Sequence, residues 1–129
     1  MIKLIPVEDK LSLQKLAKKY QLPYSESLHA YVSASQDVFA ECLFSLEGYS
    51  VNLLAIDFDE ADALLPEMLI RAVGAYAGNR SGYLFLVNQP IASRIQSTLK
   101  TMHFEENEKG FCGKVPVILK GSCCHQDNE

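Results

Sequence analysis

The sequence predicts a single α/β domain with a mixed β-sheet and helices on its faces. An amphipathic helix pattern covers residues 61–77, and short apolar runs at 49–56 and 83–87 flank it. A strand–helix–strand order predicts that these two strands are parallel, with a right-handed crossover. Apolar and polar residues alternate before them, over residues 29–46, and so predict antiparallel strands. The expected order is β-α-(α)-β-β-β-α-β-α-β(-β).

The first half of the chain begins with a short strand over residues 1–7. An apolar stripe at helical spacing then predicts a helix over residues 13–20. Residues 24–28 are expected to form a loop or a short second helix. The period then changes to two, which predicts one strand over residues 29–33 and another over 38–46.

The second half contains the strongest helix of the chain. Pro66 loses no hydrogen bond only in the first helical turn, so this helix is expected to begin near Ala63. A further single helix is predicted over residues 91–102, from its apolar stripe. Residues 111–119 are expected to add one or two terminal strands, with Pro116 favouring an edge position.

Composition narrows the classes of partner. The chain has 129 residues, one domain's worth, and its formal net charge of −4 argues against a general nucleic-acid binder, which needs a basic face. No apolar stretch approaches the ~18 residues of a membrane span, and residues 1–7 are too short for a signal peptide. We therefore expect a cytoplasmic protein with one domain over residues 1–120 and a polar tail over residues 121–129.

Cysteine usage predicts free thiols. The four cysteines are Cys42, Cys112, Cys123 and Cys124, and none forms a Cys-x-x-Cys pair. Zinc binding by the tail, where His125 follows the last two cysteines, is the less favoured interpretation, so no metal site is expected. A Cys–His nucleophile using Cys42 or Cys112 stays open, although no motif supports it.

The order of elements resembles that of the GNAT acyltransferase family over most of residues 1–119. Many members end the last long helix with Ala, Tyr and Gly-Phe at set spacing. Counting back from Phe104 places His103 at the Gly, Leu99 at the Tyr and Ile95 at the Ala. The resemblance implies a divergent member that transfers an acyl group from acyl-CoA to an amine, carried by a small molecule or a peptide.

The resemblance also implies acetyl-CoA or CoA as cofactor. Family members hold its pantetheine arm along the backbone of the central strand, where that strand diverges from the next parallel one. The matching residues here are Leu53, Leu54, Ala55 and Ile56. Asn88 stands in the place of a family Asn, with a helix cap or turn as the alternative role.

The phosphate-binding loop departs from the family pattern. Members carry Gln/Arg-x-x-Gly-x-Gly/Ala before the long helix, whose backbone N–H groups hold the CoA diphosphate. Residues 57–66 contain no glycine here, and Asp57, Asp59, Glu60 and Asp62 add four carboxylates. Like charges near 4 Å repel by about 4 kcal/mol at an effective dielectric constant of ~20. The sequence thus predicts a weakened or lost CoA site.

The sequence offers several candidates for the catalytic residues and does not decide between them. Leu99 replaces the tyrosine that commonly protonates the departing CoA thiolate, and general acid help of this kind is worth ~10²–10⁴ in rate. Substitute tyrosines, or simply packing residues, are Tyr31, Tyr49, Tyr76 and Tyr83. Candidate bases, or simply solvated carboxylates at strand ends, are Asp57, Glu41 and Glu47.

Three classes of function follow. The chain is a divergent acyltransferase, a catalytically inactive relative that binds a small molecule or peptide, or an interaction subunit. The last class includes a homodimer formed through exposed apolar strands or the terminal strand segment.

Overall fold

The computed structural model describes residues 3–119, which form a seven-stranded mixed sheet with helices on both faces. The predicted tail over residues 121–129, with Cys123, Cys124 and His125, lies outside the described residues. The strands are β1 (Leu4–Pro6), β2 (Leu28–Ser33), β3 (Ala40–Glu47), β4 (Ser50–Phe58), β5 (Leu84–Asn88), β6 (Glu105–Asn107) and β7 (Gly110–Lys114). The helices are α1 (Lys10–Lys19), α2 (Leu65–Gly78), α3 (Gln89–Ala92) and α4 (Gln96–Thr101). The strand order is β1-β2-β3-β4-β5-β7-β6.

The predicted mixed sheet is confirmed. Strands β1 to β4 pair in sequence and antiparallel, as the alternating pattern predicted. Strands β4 and β5 pair parallel, from Ser50 opposite Leu84 to Leu53 opposite Val87. Helix α2 connects them and carries Pro66 in its first turn, although it begins at Leu65 rather than Ala63.

The core has two layers because helices cover both faces of β3 and β4. Six consecutive residues of β3, from Ala40 to Ser45, are buried, although their sequence alternates. On the α2 face, Phe44 packs with α2, β4 and β5 in one large cluster. On the other face, Leu43 and Ala55 pack against Leu13 and Ala17 of α1. Because β3 and β4 are buried on both faces, packing in the core fixes the positions of their ends.

One prediction for the second half is wrong and another is confirmed only in part. The single helix over residues 91–102 is instead α3 and α4, which are separated at Ser93–Ile95. The apolar stripe persists across the break because Ile95 and Leu99 are both buried. Of the one or two strands predicted over residues 111–119, one is confirmed as β7, but it stops at Lys114 and residues 115–119 are helical. Pro116 therefore lies in the first turn of a helix, a position that proline tolerates equally well.

None of the helices within residues 3–119 combines the length and apolar character that a membrane crossing would need.

Gly110 is the most constrained glycine of the described chain, and its replacement should be costly. A Cβ atom at Gly110, where φ is 149°, would lie 2.1 Å from the carbonyl oxygen of Val87. At Gly48, where φ is 63°, a Cβ atom would meet nothing within 4 Å. We expect Gly48→Ala to lower the free energy of unfolding by about 1 kcal/mol, from backbone strain alone. Gly110→Ala should lower it by more than ~3 kcal/mol, because backbone must also move. Urea unfolding measures both, and equal losses would contradict the assigned clash.

His29 should make stability depend on pH. Its Nδ1 lies 3.0 Å from the Tyr76 hydroxyl, and burial, then the positive charge of Arg80, lower its pKa below the usual 6.5. The unfolded chain therefore binds this proton more readily as the pH falls through 6.5, so the folded state loses stability on acidification. We expect the free energy of unfolding to fall less steeply between pH 7.5 and 5.5 in His29→Gln than in the wild type. His103→Asn, which changes an exposed histidine, is the control, and an unchanged slope in His29→Gln would refute the assignment.

Candidate functional site

A cleft opens where β4 and β5 stop pairing. Their parallel ladder ends at Leu53 and Val87, whereas β4 continues to Phe58 and remains paired with β3 alone. The backbone of residues 54–56 consequently borders a cavity of about 280 Å³. The lining residues are Tyr20, Leu54, Ala55, Ile56, Pro90, Ile91 and Arg94.

Arg94 reaches into this cleft from the break between α3 and α4. Its Nη1 donates to the carbonyl oxygen of Ile56 at 2.9 Å, one of the backbone groups that β5 no longer pairs. Its Nη2 donates to Asp57 Oδ1 at 3.0 Å and to Glu60 Oε2 at 2.9 Å. The guanidinium also lies over the Phe58 ring, 4.6 Å from its centroid. Arg94 thus fixes the end of β4 to the segment before α2.

The acidic segment satisfies its own backbone donors. The N–H of Ala61 donates to Asp59 Oδ1 at 3.0 Å, and the N–H of Leu64 donates to Asp62 Oδ1 at 3.0 Å. These are Asx turns, in which a short acidic side chain bonds a backbone group two residues on. With Asp57 and Glu60 held by Arg94, each of the four carboxylates has a partner.

A second group of polar side chains lies beside the cleft. Glu41 on β3 is 6% exposed and accepts hydrogen bonds from the Tyr20 hydroxyl and from Lys19 Nζ, the latter at 2.7 Å. Burial, and next the hydrogen bond to Glu41, raise the pKa of Tyr20 well above its usual value. Tyr20 therefore presents a neutral phenol at the cleft. Glu41 and Asp57 face each other across β3 and β4, so two of the predicted bases are neighbours.

The remaining predicted site residues lie elsewhere. Leu53 is buried and still paired with Val87, so it does not border the cleft. Asn88 precedes α3 with an exposed side chain that makes no capping hydrogen bond, and the cleft lining does not include it. Glu47 lies at the opposite end of β3, where Ser27 donates to it at 3.3 Å.

None of the four tyrosines considered as substitute acids lines the cleft. Tyr31 and Tyr76 pack around Phe44 on the α2 face, and Tyr49 and Tyr83 are exposed at the start of β4 and β5. The tyrosine at the cleft is Tyr20, which the sequence pattern assigned to the apolar face of α1. No local signal distinguishes it, because its partner Glu41 is 21 residues away.

The cysteines of the described chain do not form a recognisable nucleophile. Cys42 is fully buried, and burial raises its pKa to about 12. Cys112 is half-buried and lines, with His103, a separate cavity of about 170 Å³. Within residues 3–119 no three His, Cys, Asp or Glu side chains are placed to hold a metal ion.

A larger cavity of about 430 Å³ lies at the other end of α2, lined by residues that include His29, Tyr76 and Arg80. We take the smaller cleft as the candidate site. Of the two cavities, it alone borders β4 residues that no longer pair with β5, at the carboxyl end of a parallel strand. Such strand ends are where open α/β sheets bind ligands.

No protein-family model matches the sequence, and no curated protein does either. Solved structures do match. The ribosomal-protein-S18-alanine N-acetyltransferase of Escherichia coli is 12% identical, with a TM-score of 0.61 over 88% of this chain and 90% of that one. A GNAT-family acetyltransferase of Staphylococcus aureus is 9% identical, with a TM-score of 0.63 over 89% and 99%.

A third structure, YhhK of Escherichia coli, was assigned as an N-acetyltransferase and solved bound to coenzyme A. It is 13% identical, with a TM-score of 0.63 over 88% of this chain and 98% of that one. These identities are low, but the coverage is nearly complete in both directions. The chain has the fold of the GNAT acetyltransferases.

Proposed function

We propose that this protein is an acyltransferase that takes an acyl group from a pantetheine thioester and passes it to an amine. The observation that carries this proposal is the divergence of β4 from β5 after Leu53, which leaves the backbone of residues 54–56 bordering a cleft. The acetyltransferases of the same fold, one of them bound to coenzyme A, support the reaction class. Leu54, Ala55 and Ile56 are the proposed contacts with the pantetheine arm, and Leu53 and Asn88 are not.

The residues beside the cleft suggest how the transfer proceeds. The amine nitrogen attacks the thioester carbonyl, a C–N bond forms and the C–S bond breaks. The proton of the amine goes to a carboxylate, and the thiolate takes a proton from solvent. We assign the base to Asp57, whose side chain is 38% exposed at the open end of β4. Glu41 is less suited, because it is 6% exposed, whereas Asp57, although paired with Arg94, is open to solvent.

The site lacks an efficient general acid. Leu99 is fully buried in the core, so the position of the family tyrosine does not face the cleft. Tyr20 carries a proton there, but its raised pKa makes it reluctant to release that proton to a thiolate. We therefore assign Tyr20 to holding Glu41, and expect slow turnover, since an acid is worth ~10²–10⁴ in rate.

A catalytically inactive binding module is the second candidate. Arg94 favours it, because its hydrogen bond to Ile56 occupies a backbone group that a pantetheine arm would use. Both candidates bind the thioester, but only the acyltransferase transfers its acyl group. A homodimer, a cytoplasmic location and an amine carried by a small molecule or a peptide stay predictions. The edge strand β6 begins with Glu105 and Glu106, and such charges disfavour strand pairing between copies.

Filling the cleft should abolish thioester binding. Ile91 is half-buried in the cleft lining, so Ile91→Trp places an indole where the arm would lie. We expect acetyl-pantetheine to shift the backbone amide resonances of residues 54–56 in the wild type, and affinity to fall at least ~10-fold in the variant. Leu11→Trp, at a position 66% exposed on α1, is the control for the added indole. If neither acetyl-pantetheine nor acetyl-CoA at millimolar concentration shifts these resonances, the proposed function is wrong.

Turnover separates the two candidates. The protein is incubated with acetyl-pantetheine or acetyl-CoA and a mixture of peptides with free amines, and acetylated peptides are measured by mass spectrometry. We expect product to form slowly and to decrease about 100-fold in Asp57→Asn, because the base is lost. Glu47→Gln removes a carboxylate at the other end of β3 and should leave the rate unchanged. Thioester binding without any acetylated peptide would favour the inactive module.

A further inference from the structure

Carboxylates of the chain itself already bind backbone N–H groups just before α2. Four backbone N–H groups in residues 61–65 are bound internally. Those of Ala61 and Leu64 donate to the carboxylates of Asp59 and Asp62. Those of Asp62 and Leu65 donate to the carbonyl oxygens of Asp59 and Asp62, at 3.1 and 3.3 Å. Pro66 has no N–H group to offer. A diphosphate at this helix end would have to displace these carboxylates to gain a hydrogen bond from Ala61 or Leu64.

The charge of the segment opposes a diphosphate as well. Asp57, Asp59, Glu60 and Asp62 carry four negative charges, and Arg94 is the cation paired with them in the described chain. That cation is committed to two of these carboxylates and to the carbonyl oxygen of Ile56. The local charge is thus close to −3, beside a cleft whose own lining carries no carboxylate. Repulsion acts on the charged phosphate end of a donor, because the thioester end carries no charge.

We infer that the acyl donor of this cleft is a pantetheine thioester that carries no diphosphate, either a free acyl-pantetheine or an arm attached through one phosphate to a carrier protein. The inference rests on the proposed function and names its substrate class. Asp59 and Asp62 are specificity-determining residues, because their carboxylates add negative charge at the backbone donors of Ala61 and Leu64, which they also occupy. The transfer is the same for every such donor: the C–S bond breaks, a C–N bond forms and the thiol is released.

Three donors that share the acetyl-pantetheine arm and carry increasing phosphate test the inference, with acetyl-CoA adding an adenosine as well. They are acetyl-pantetheine, acetyl-4′-phosphopantetheine and acetyl-CoA, and calorimetry at low salt measures the affinity of the full chain for each. We expect affinity to fall as phosphate is added, and added salt to improve binding of acetyl-CoA alone, since screening weakens the repulsion. A free donor is indicated if acetyl-pantetheine binds best, and a carrier-bound arm if the single phosphate costs nothing.

Charge-only variants test the two aspartates. Asn keeps the side-chain oxygen that bonds Ala61 or Leu64, so Asp59→Asn and Asp62→Asn remove charge without removing the turn. Each should raise affinity for acetyl-CoA about three- to tenfold and leave that for acetyl-pantetheine unchanged. Glu26→Gln, an equal charge change beside the cavity at the other end of α2, should alter neither affinity. Thermal unfolding checks that each variant folds.

Acetyl-CoA binding the wild type tenfold or more tightly than acetyl-pantetheine would overturn the inference and leave the proposed function standing. Failure of all three donors to bind would overturn both. Equal gains in affinity for acetyl-CoA in Glu26→Gln and Asp59→Asn would contradict the role of Asp59, because net charge alone would then explain them.

Discussion

The end of the β4–β5 ladder is the constraint on which the site depends. Parallel strands satisfy each other's backbone groups, so a strand that continues alone must find other partners for its N–H and C=O groups. Strand β4 continues five residues past Leu53, to Phe58, and the carbonyl of Ile56 is satisfied by Arg94. The arginine that reaches it lies in the non-helical stretch between α3 and α4. The break in the predicted helix therefore carries a residue that lines the cleft.

The same arginine explains how an acidic segment is tolerated beside the sheet. Asp57 and Glu60 bind the guanidinium, and Asp59 and Asp62 bind backbone N–H groups. Exposed ion pairs contribute about 0–1 kcal/mol each, so the pairs alone would not fix this geometry. The bond to a backbone carbonyl and the two Asx turns add directed contacts that hold the segment in one conformation. The segment is thus held in place by its own carboxylates and by Arg94.

Much of the fold was predictable from the sequence, because its signals are local. Alternating apolar and polar residues before residue 47 predicted antiparallel strands. The apolar stripe of α2 between two apolar runs predicted a parallel pair, and both pairings are observed. The stripe at Ile91, Ile95 and Leu99 was misleading, since two short helices and the break between them also bury Ile95 and Leu99 and leave Ile91 half-buried. Residues 54–56 could be placed by their position on the strand. Tyr20 and Arg94 could not, because their partners are 21 to 38 residues away and neither belongs to a motif.

The strand backbone favours binding of a pantetheine thioester, whereas the acidic segment disfavours a diphosphate. The two observations are compatible, because the thioester and the diphosphate are at different ends of CoA. The thioester end would meet strand backbone, which places little demand on side-chain identity, and this part of the site retains its geometry. The phosphate end would meet residues 59–66, beyond the proposed base Asp57, where side-chain identity decides the charge and where two carboxylates already bind backbone N–H groups. Loss of binding at one end does not require loss at the other, because each end makes its own contacts. Under the proposed function, the chain would keep a thioester cleft and differ in the molecule that delivers the thioester.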